Sequence, residues 1–165
     1  MIGVRQCQSK SQTSKQTTEA NGGTKPDKAH ILVVDNDFGP RESLGVILSP
    51  YFHVHLAESG AQALNVLRCA PIDLIALDLT MPGMNGIEVL DRVKQYDPSI
   101  EVLMITASAS LDAALEGLRL GAFDYVIKPF DVYKILSLVK HGLMRRRSTT
   151  ALFKSADPAF SPTLG

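Results

Sequence analysis

Residues 72–86, IDLIALDLTMPGMNG, constrain the fold more than any other stretch. Leu74, Ile75, Ala76 and Leu77 form an apolar run that stops at Asp78, and a loop containing Met81, Pro82, Gly83, Asn85 and Gly86 follows. The run is too short for a helix and is bounded by turn formers, so it reads as a fully buried strand. That places a carboxylate at the carboxyl end of a central strand, the edge where open α/β sheets bind ligands. The competing reading of Asp78 is an aspartate that merely starts a turn.

The flanking chain decides between the two. Ile31, Leu32, Val33 and Val34 are a second continuous run, ending in Asp35, Asn36 and Asp37. Pro40 suits the first turn of the next helix, whose apolar face is Leu44, Ile47 and Leu48. His53-Val54-His55-Leu56 alternates, as a half-exposed edge strand does. His53 and His55 share one side of that strand. A metal pair is conceivable, but no third ligand stands nearby in the sequence, which favours solvated edge residues. Ser59 caps a helix with face Ala63, Val66 and Leu67. Ile87, Leu90, Val93 and Lys94 suit a short amphipathic helix stopped by Asp97 and Pro98. Residues 100–106, IEVLMIT, form a buried strand ending in the Thr106 hydroxyl. Leu111, Ala114, Leu115 and Leu118 make the next helical face, with Gly121 at its C′ position. Tyr125, Val126 and Ile127 form the last strand, ending at Lys128 and Pro129. The final helix sets Val132, Ile135, Leu136 and Val139 on one face. It is expected to finish at Arg145, Arg146 and Arg147, cations that complement a helix carboxyl end.

Strict strand–helix alternation gives an α/β fold, a doubly wound parallel sheet with helices on both faces. Residues 1–28 are polar and too poor in apolar side chains to offset their ordering entropy, so they read as a disordered tail. Residues 29–147 form the domain. Residues 148–165 are expected to be a second disordered tail, too short for a helix-turn-helix output domain. The chain carries 17 basic and 17 acidic residues, a balance that favours neither nucleic acid nor membrane as partner. No apolar run approaches the roughly 20 residues of a membrane span, and there is no signal-peptide h-region. Cys7 and Cys69 have no metal-site spacing and fit thiols in a reducing cytosol, so a cytoplasmic location is expected.

In a parallel sheet the strand ends at Asp35, Asp78, Thr106 and Lys128 lie along one edge. Carboxylates gathered there repel one another unless a cation neutralises them. Mg2+ answers that need with one or two carboxylates, a carbonyl and waters, leaving room for phosphate oxygens. An ammonium and a hydroxyl beside it complete a cradle for a phosphoryl group, and a carboxylate is itself a competent nucleophile.

These residues carry a resemblance. The motifs VVDND at 33–37, DLTMPGMNG at 78–86, Thr106 with Ala107, and DYVIKPF at 124–130 resemble a receiver domain of a bacterial two-component response regulator, over residues 30–147. The resemblance implies a flavodoxin-like (βα)5 sheet of strand order 2-1-3-4-5, an order long known for such folds. It implies that Asp78 accepts a phosphoryl group from a sensor histidine kinase or phosphotransfer protein, and that the domain catalyses this transfer and its hydrolysis rather than acting as an enzyme on other substrates. It implies Mg2+ held by Asp35, Asn36, Asp78 and the Thr80 carbonyl. Lys128 contacts a phosphoryl oxygen, with a cis bond to Pro129. Thr106 and Tyr125 are the switch pair, and the output is a protein surface for a target protein or a second receiver.

One position departs from the pattern. The residue after Asp35 is usually a second acid, and here it is Asn36, which offers a carbonyl oxygen but no charge. That feature alone favours an unphosphorylated interaction module. Enzymes on the same fold are the remaining alternative. Asp35 and Asp37 would repel a flavin phosphate, and a phosphatase with an aspartate nucleophile wants an acid where Thr80 stands.

Overall fold

The computed structural model describes residues 28–107 and 111–156, with the side chains of 111 and 152–156 left out. Five strands, β1 (His30–Val34), β2 (His53–Ala57), β3 (Leu74–Asp78), β4 (Glu101–Thr106) and β5 (Asp124–Ile127), alternate with five helices. The helices are α1 (Phe38–Leu48), α2 (Gly60–Cys69), α3 (Gly86–Tyr96), α4 (Leu111–Arg119) and α5 (Val132–Ala156). All strand pairs are parallel, in the order β2-β1-β3-β4-β5. The expected order is thus the one observed.

Period-two alternation divides the core into two layers. Leu32, Val34, Ile75, Leu77, Val102 and Met104 face one side, where α2 and α3 cover them with Ala63, Leu67, Val89, Leu90 and Val93. Ile31, Val33, Leu74, Ala76, Leu103 and Ile105 face the other, under Leu44 and Leu48 of α1 and Ile135 and Val139 of α5. β3 and β4 are buried at every position and β1 at all but His30, which is why they lack polar alternation.

Local chemistry fixes the helix ends. Ser59 Oγ accepts from the Gln62 N–H at 3.3 Å. Asn85 and Glu88 form a reciprocal capping box, and Asp97 caps the other end of α3. Gly121 has φ +94°, the left-handed conformation that ends α4.

Three expectations need correction. Residues 148–156 are not a tail: α5 runs on to Ala156, because STTALFKSA contains no glycine or proline to stop it. The arginines therefore sit in the body of the helix, where no dipole end awaits them. Arg145 Nε instead pairs with Glu101 at 3.3 Å, and Arg146 Nε with Asp73 at 3.1 Å, tying α5 to the amino ends of β4 and β3. Finally, Leu115, Leu118 and Val132 do not face the core; each is more than 40% exposed. On α4 the inward position is Gly117, where an added Cβ would lie 2.1 Å from Met104 Cε. The leucines flank this close approach and point outward. Residues 1–27 and 157–165, with Cys7, lie outside the described residues.

Candidate phosphoacceptor site

Each component of the site is delivered by the end of a strand. Asp35 follows β1, Asp78 ends β3 and Thr106 ends β4; they are 2%, 6% and 1% exposed. Lys128 follows β5. Its backbone N–H donates to the Thr106 carbonyl at 2.7 Å, which carries the β4–β5 pairing one residue beyond Ile127. The bond from Lys128 to Pro129 is cis, as the resemblance implied.

The Lys128 ammonium closes the site. Nζ lies 2.6 Å from Asp35 Oδ2 and 3.3 Å from Asp78 Oδ1. The other carboxylate oxygens are met by loop amides: Asp37 N–H donates to Asp35 Oδ1 at 2.8 Å, and Thr80 N–H to Asp78 Oδ2 at 3.1 Å. Burial pushes the Asp78 carboxyl above the ordinary range; the Lys128 charge opposes that rise and Asp35 adds to it. Burial also works against the Lys128 ammonium, but its hydrogen bond to Asp35 and the charges of Asp78 and Asp35 outweigh it, holding it above the usual lysine range. The ammonium is thereby held in contact with both carboxylates.

The loop after Asp78 is shaped by two glycines. Gly83 has φ +78°, which side-chain-bearing residues rarely adopt. At Gly86 a Cβ would stand 2.5 Å from the Asp78 carbonyl oxygen and 2.7 Å from Leu79 Cα, so only glycine lets α3 start this close to the end of β3.

The donor set fits a hard cation: two buried carboxylates, the Asn36 amide and the Thr80 carbonyl are all oxygen ligands. Among the described residues no three His, Cys, Asp or Glu side chains form a ready-made metal cage. Mg2+ does not require one, since it takes one or two carboxylates and keeps waters. Asn36 is only half-buried, and its Nδ2 lies 3.5 Å from the exposed Asp37 carboxylate. Tyr125 is half-buried on β5, paired in register with Met104, and packs against the α2–α3 layer of the core.

Arg41 was not anticipated. It is 9% exposed, on the inward face of α1. Its Nη1 donates to the Asp35 carbonyl at 2.7 Å and the Asn36 carbonyl at 3.4 Å, and its guanidinium lies over the Phe38 ring. It thereby clamps the loop that presents both residues. The signal was present: Arg41, Leu44 and Leu48 share one helical face at spacings of three and four.

The chain is similar in sequence and fold to known proteins. Residues 31–140 match the model of the response regulator receiver domain family. The transcriptional regulatory protein ZraR of Klebsiella oxytoca is 40% identical over 122 residues, covering 73% of this chain and 28% of that protein. The chain thus spans less than a third of the length of that relative. Sporulation initiation phosphotransferase F of Bacillus subtilis is 39% identical over 114 residues, covering 68% of this chain and 92% of that protein. A CheY-like response regulator receiver domain protein from Methanospirillum hungatei superposes with a TM-score of 0.72 at 27% identity, over 74% of this chain and 99% of that one. With five parallel strands in the expected order and the family match running from within β1 into α5, the chain belongs to the response regulator receiver domain family.

Proposed function

We propose that this receiver accepts a phosphoryl group on Asp78 from the phosphohistidine of a sensor kinase or phosphotransfer protein. The observation that carries this reading is the position of Lys128 Nζ, in contact with both Asp35 and Asp78 at the carboxyl edge of the sheet. An Asp78 carboxylate oxygen attacks phosphorus, the new P–O bond forms as the P–N bond breaks, and the donor imidazole leaves. A carboxylate whose pKa is raised by burial is the stronger nucleophile once ionised. Lys128 meets charge on the transferred oxygens, and the clamped β1–α1 loop keeps Asp35 oriented. Mg2+, held by Asp35, Asn36, Asp78 and the Thr80 carbonyl, would supply further charge neutralisation when bound.

Output follows from the same edge. An added phosphoryl group brings about −1.5 to −2 of charge and strong acceptor oxygens. The Thr106 hydroxyl turns toward them, and the Tyr125 ring follows inward. The surface remodelled lies on α4, β5 and α5, where Leu115, Leu118, Ile127, Val132 and Tyr133 are exposed. A target protein or second receiver binds there, and phosphorylation shifts the equilibrium by its differential affinity for the two states.

The test is labelling with a small-molecule phosphodonor and Mg2+. Wild type should form an acid-stable, base-labile acyl phosphate and Asp78→Asn should not; equal labelling would exclude Asp78. Thr106→Ala should still label, yet show none of the phosphorylation-dependent association or hydrogen-exchange change around Tyr125.

A further inference from the structure

Toward the amino-terminal edge of the sheet, three of the four histidines of the chain come together. His53 and His55 lie two apart on edge strand β2, so they share a face. His30 joins them from β1, which pairs with β2 so that His30 stands against His53. His30 Nδ1 and His55 Nε2 are hydrogen-bonded at 3.0 Å, and the rings of His53 and His55 are centred 4.8 Å and 5.3 Å from that of His30. His53 is exposed and the other two are half-buried, so solvent protons reach the cluster. The same strand ends at the phosphoacceptor edge: the carbonyl of Ala57, the last residue of β2, accepts the Asp35 N–H at 3.1 Å.

We infer that this cluster is a proton-sensitive latch on edge strand β2: mild acid opens it, and the loss of β2 pairing reaches Asp35 through the Ala57 carbonyl. The hydrogen bond carries this. A bond between two ring nitrogens needs one of them bare, so the His30–His55 pair holds at most one extra proton while the bond lasts. In the unfolded chain nothing stops both rings from charging below about pH 6.5. The third imidazole, His53, adds like-charge repulsion as it charges. The charged groups that face the cluster from other elements bring no relief. Lys28, Arg146 and Arg147 line one cleft with His30 and Asp73. Asp73 is already engaged, its Oδ2 by the His30 backbone N–H at 2.8 Å and its Oδ1 by Arg146 Nε at 3.1 Å. Helix α2, which covers this face of the sheet, brings apolar side chains, and its Arg68 is exposed. Burial, then His30 and His53, hold the His55 imidazole below the ordinary histidine value. Its contribution to stability is therefore full above about pH 6.5 and is lost as pH falls below that value, because the unfolded chain then binds the extra proton. Strand β2 is paired on one side only, so it is the strand that the broken latch frees.

Urea unfolding and amide hydrogen exchange of the full chain between about pH 7 and about pH 5 test the latch, with exchange rates corrected for the intrinsic effect of pH. One excluded proton lowers the folding constant about 20-fold over that interval. His55→Gln, whose amide can meet the His30 ring at either pH, should escape that share of the loss, so the ratio of wild-type to variant folding constants should fall about 20-fold. In wild type, acid should strip protection from β2 and the Asp35 amide together, while β5, the edge strand on the far side of the sheet, does not follow. The His55 ring resonances should titrate below the ordinary histidine value. Equal pH dependence in wild type and His55→Gln, an Asp35 amide indifferent to pH, or a His55 ring that titrates at about 6.5 or above overturns the proposal. The ring titration and the exchange are read on wild type, so a variant that fails to fold leaves the test intact. None of these readouts uses phosphate, so failure here is distinct from failure of Asp78 as the acceptor.

Discussion

Replacing Lys128 by methionine removes the cation between two buried carboxylates while keeping the length of the side chain. Asp35 and Asp78 side chains are 3% and 7% exposed and Lys128 is 18% exposed, so solvent screens the contact little. Removing one partner of a buried ion pair costs about 3–5 kcal/mol; with Lys128 at the rim we expect about 3 kcal/mol at neutral pH. The pH dependence gives the sharper test. Without the ammonium, which opposes the rise that burial imposes on Asp78, that carboxyl should rise further in the folded state, so the folded variant binds more protons than its unfolded chain. Its deficit must then shrink as pH falls toward the ordinary carboxylate range. The wild type has a different signature. Lys128 is held above the usual lysine range, so its contribution is fully present below the unfolded pKa and is lost as pH rises through the folded value. That alkaline loss should be absent from Lys128→Met. Urea unfolding of both proteins at about pH 5 and about pH 7.5, with and without Mg2+, measures the acid side, and a further series above the ordinary lysine pKa measures the alkaline loss. Saturating Mg2+ should restore more stability to the variant than to wild type, because the ion replaces the missing positive charge. A deficit below about 1 kcal/mol that is the same at both pH values would refute the reasoning, since it would show that the pair is solvated rather than buried.

Three further outcomes follow from the same geometry. Arg41→Met should cost about 1–3 kcal/mol in denaturant unfolding, the range for leaving buried acceptors unpaired, and should weaken Mg2+ binding because the Asp35–Asn36 loop loses its clamp. Gly86→Ala forces the start of α3 away from the Asp78 carbonyl; about 1–3 kcal/mol of stability should be lost, as for other overpacking changes, together with a slower rate of Asp78 labelling. Asn36→Asp should tighten Mg2+ by about 1–2 kcal/mol in a calorimetric titration, and equal affinity in both forms would mean that another group, such as Asp37, already serves the ion.

The strands and the phosphoacceptor edge were legible in the sequence for one physical reason. Parallel strands buried on both faces announce themselves as apolar runs, and the first polar residue after each run must stand at the edge of the sheet. Asp35, Asp78, Thr106 and Lys128 were found this way. What stayed hidden depends on pairing between elements. The hydrogen bond between His30 and His55 was invisible because the two lie 25 positions apart, and only the β1–β2 register brings them together. Leu115 and Leu118 were misjudged because periodicity shows that a helix has an apolar stripe but not which way the stripe turns. The close approach of Gly117 to Met104 sets that rotation. Arg41 was missed because cations are usually read as surface, and its partners are backbone carbonyls that no side-chain pattern records.

Asn36 and Lys128 bear on each other through charge. Two carboxylates face one ammonium, which leaves one negative charge in the pocket when both are ionised. A second acid at position 36 would add repulsion that only a cation relieves, and the ion would gain affinity at the expense of metal-free stability. Asparagine gives up that coupling, so the folded metal-free state is the less strained one. Phosphorylation then changes the balance. Turning the Asp78 carboxylate into an acyl phosphate raises its charge to about −2, and with Asp35 and Lys128 the site is then about one charge more negative than before. The need for a divalent ion is therefore greater after phosphoryl transfer than before it. The charge that Asn36 lacks should weaken Mg2+ most in the unphosphorylated protein, where no phosphate oxygens stand in for the missing ligand. Calorimetry on both forms should show the larger gain from Asn36→Asp before phosphorylation, and an equal gain in the two forms would show that the site does not respond to charge in this way.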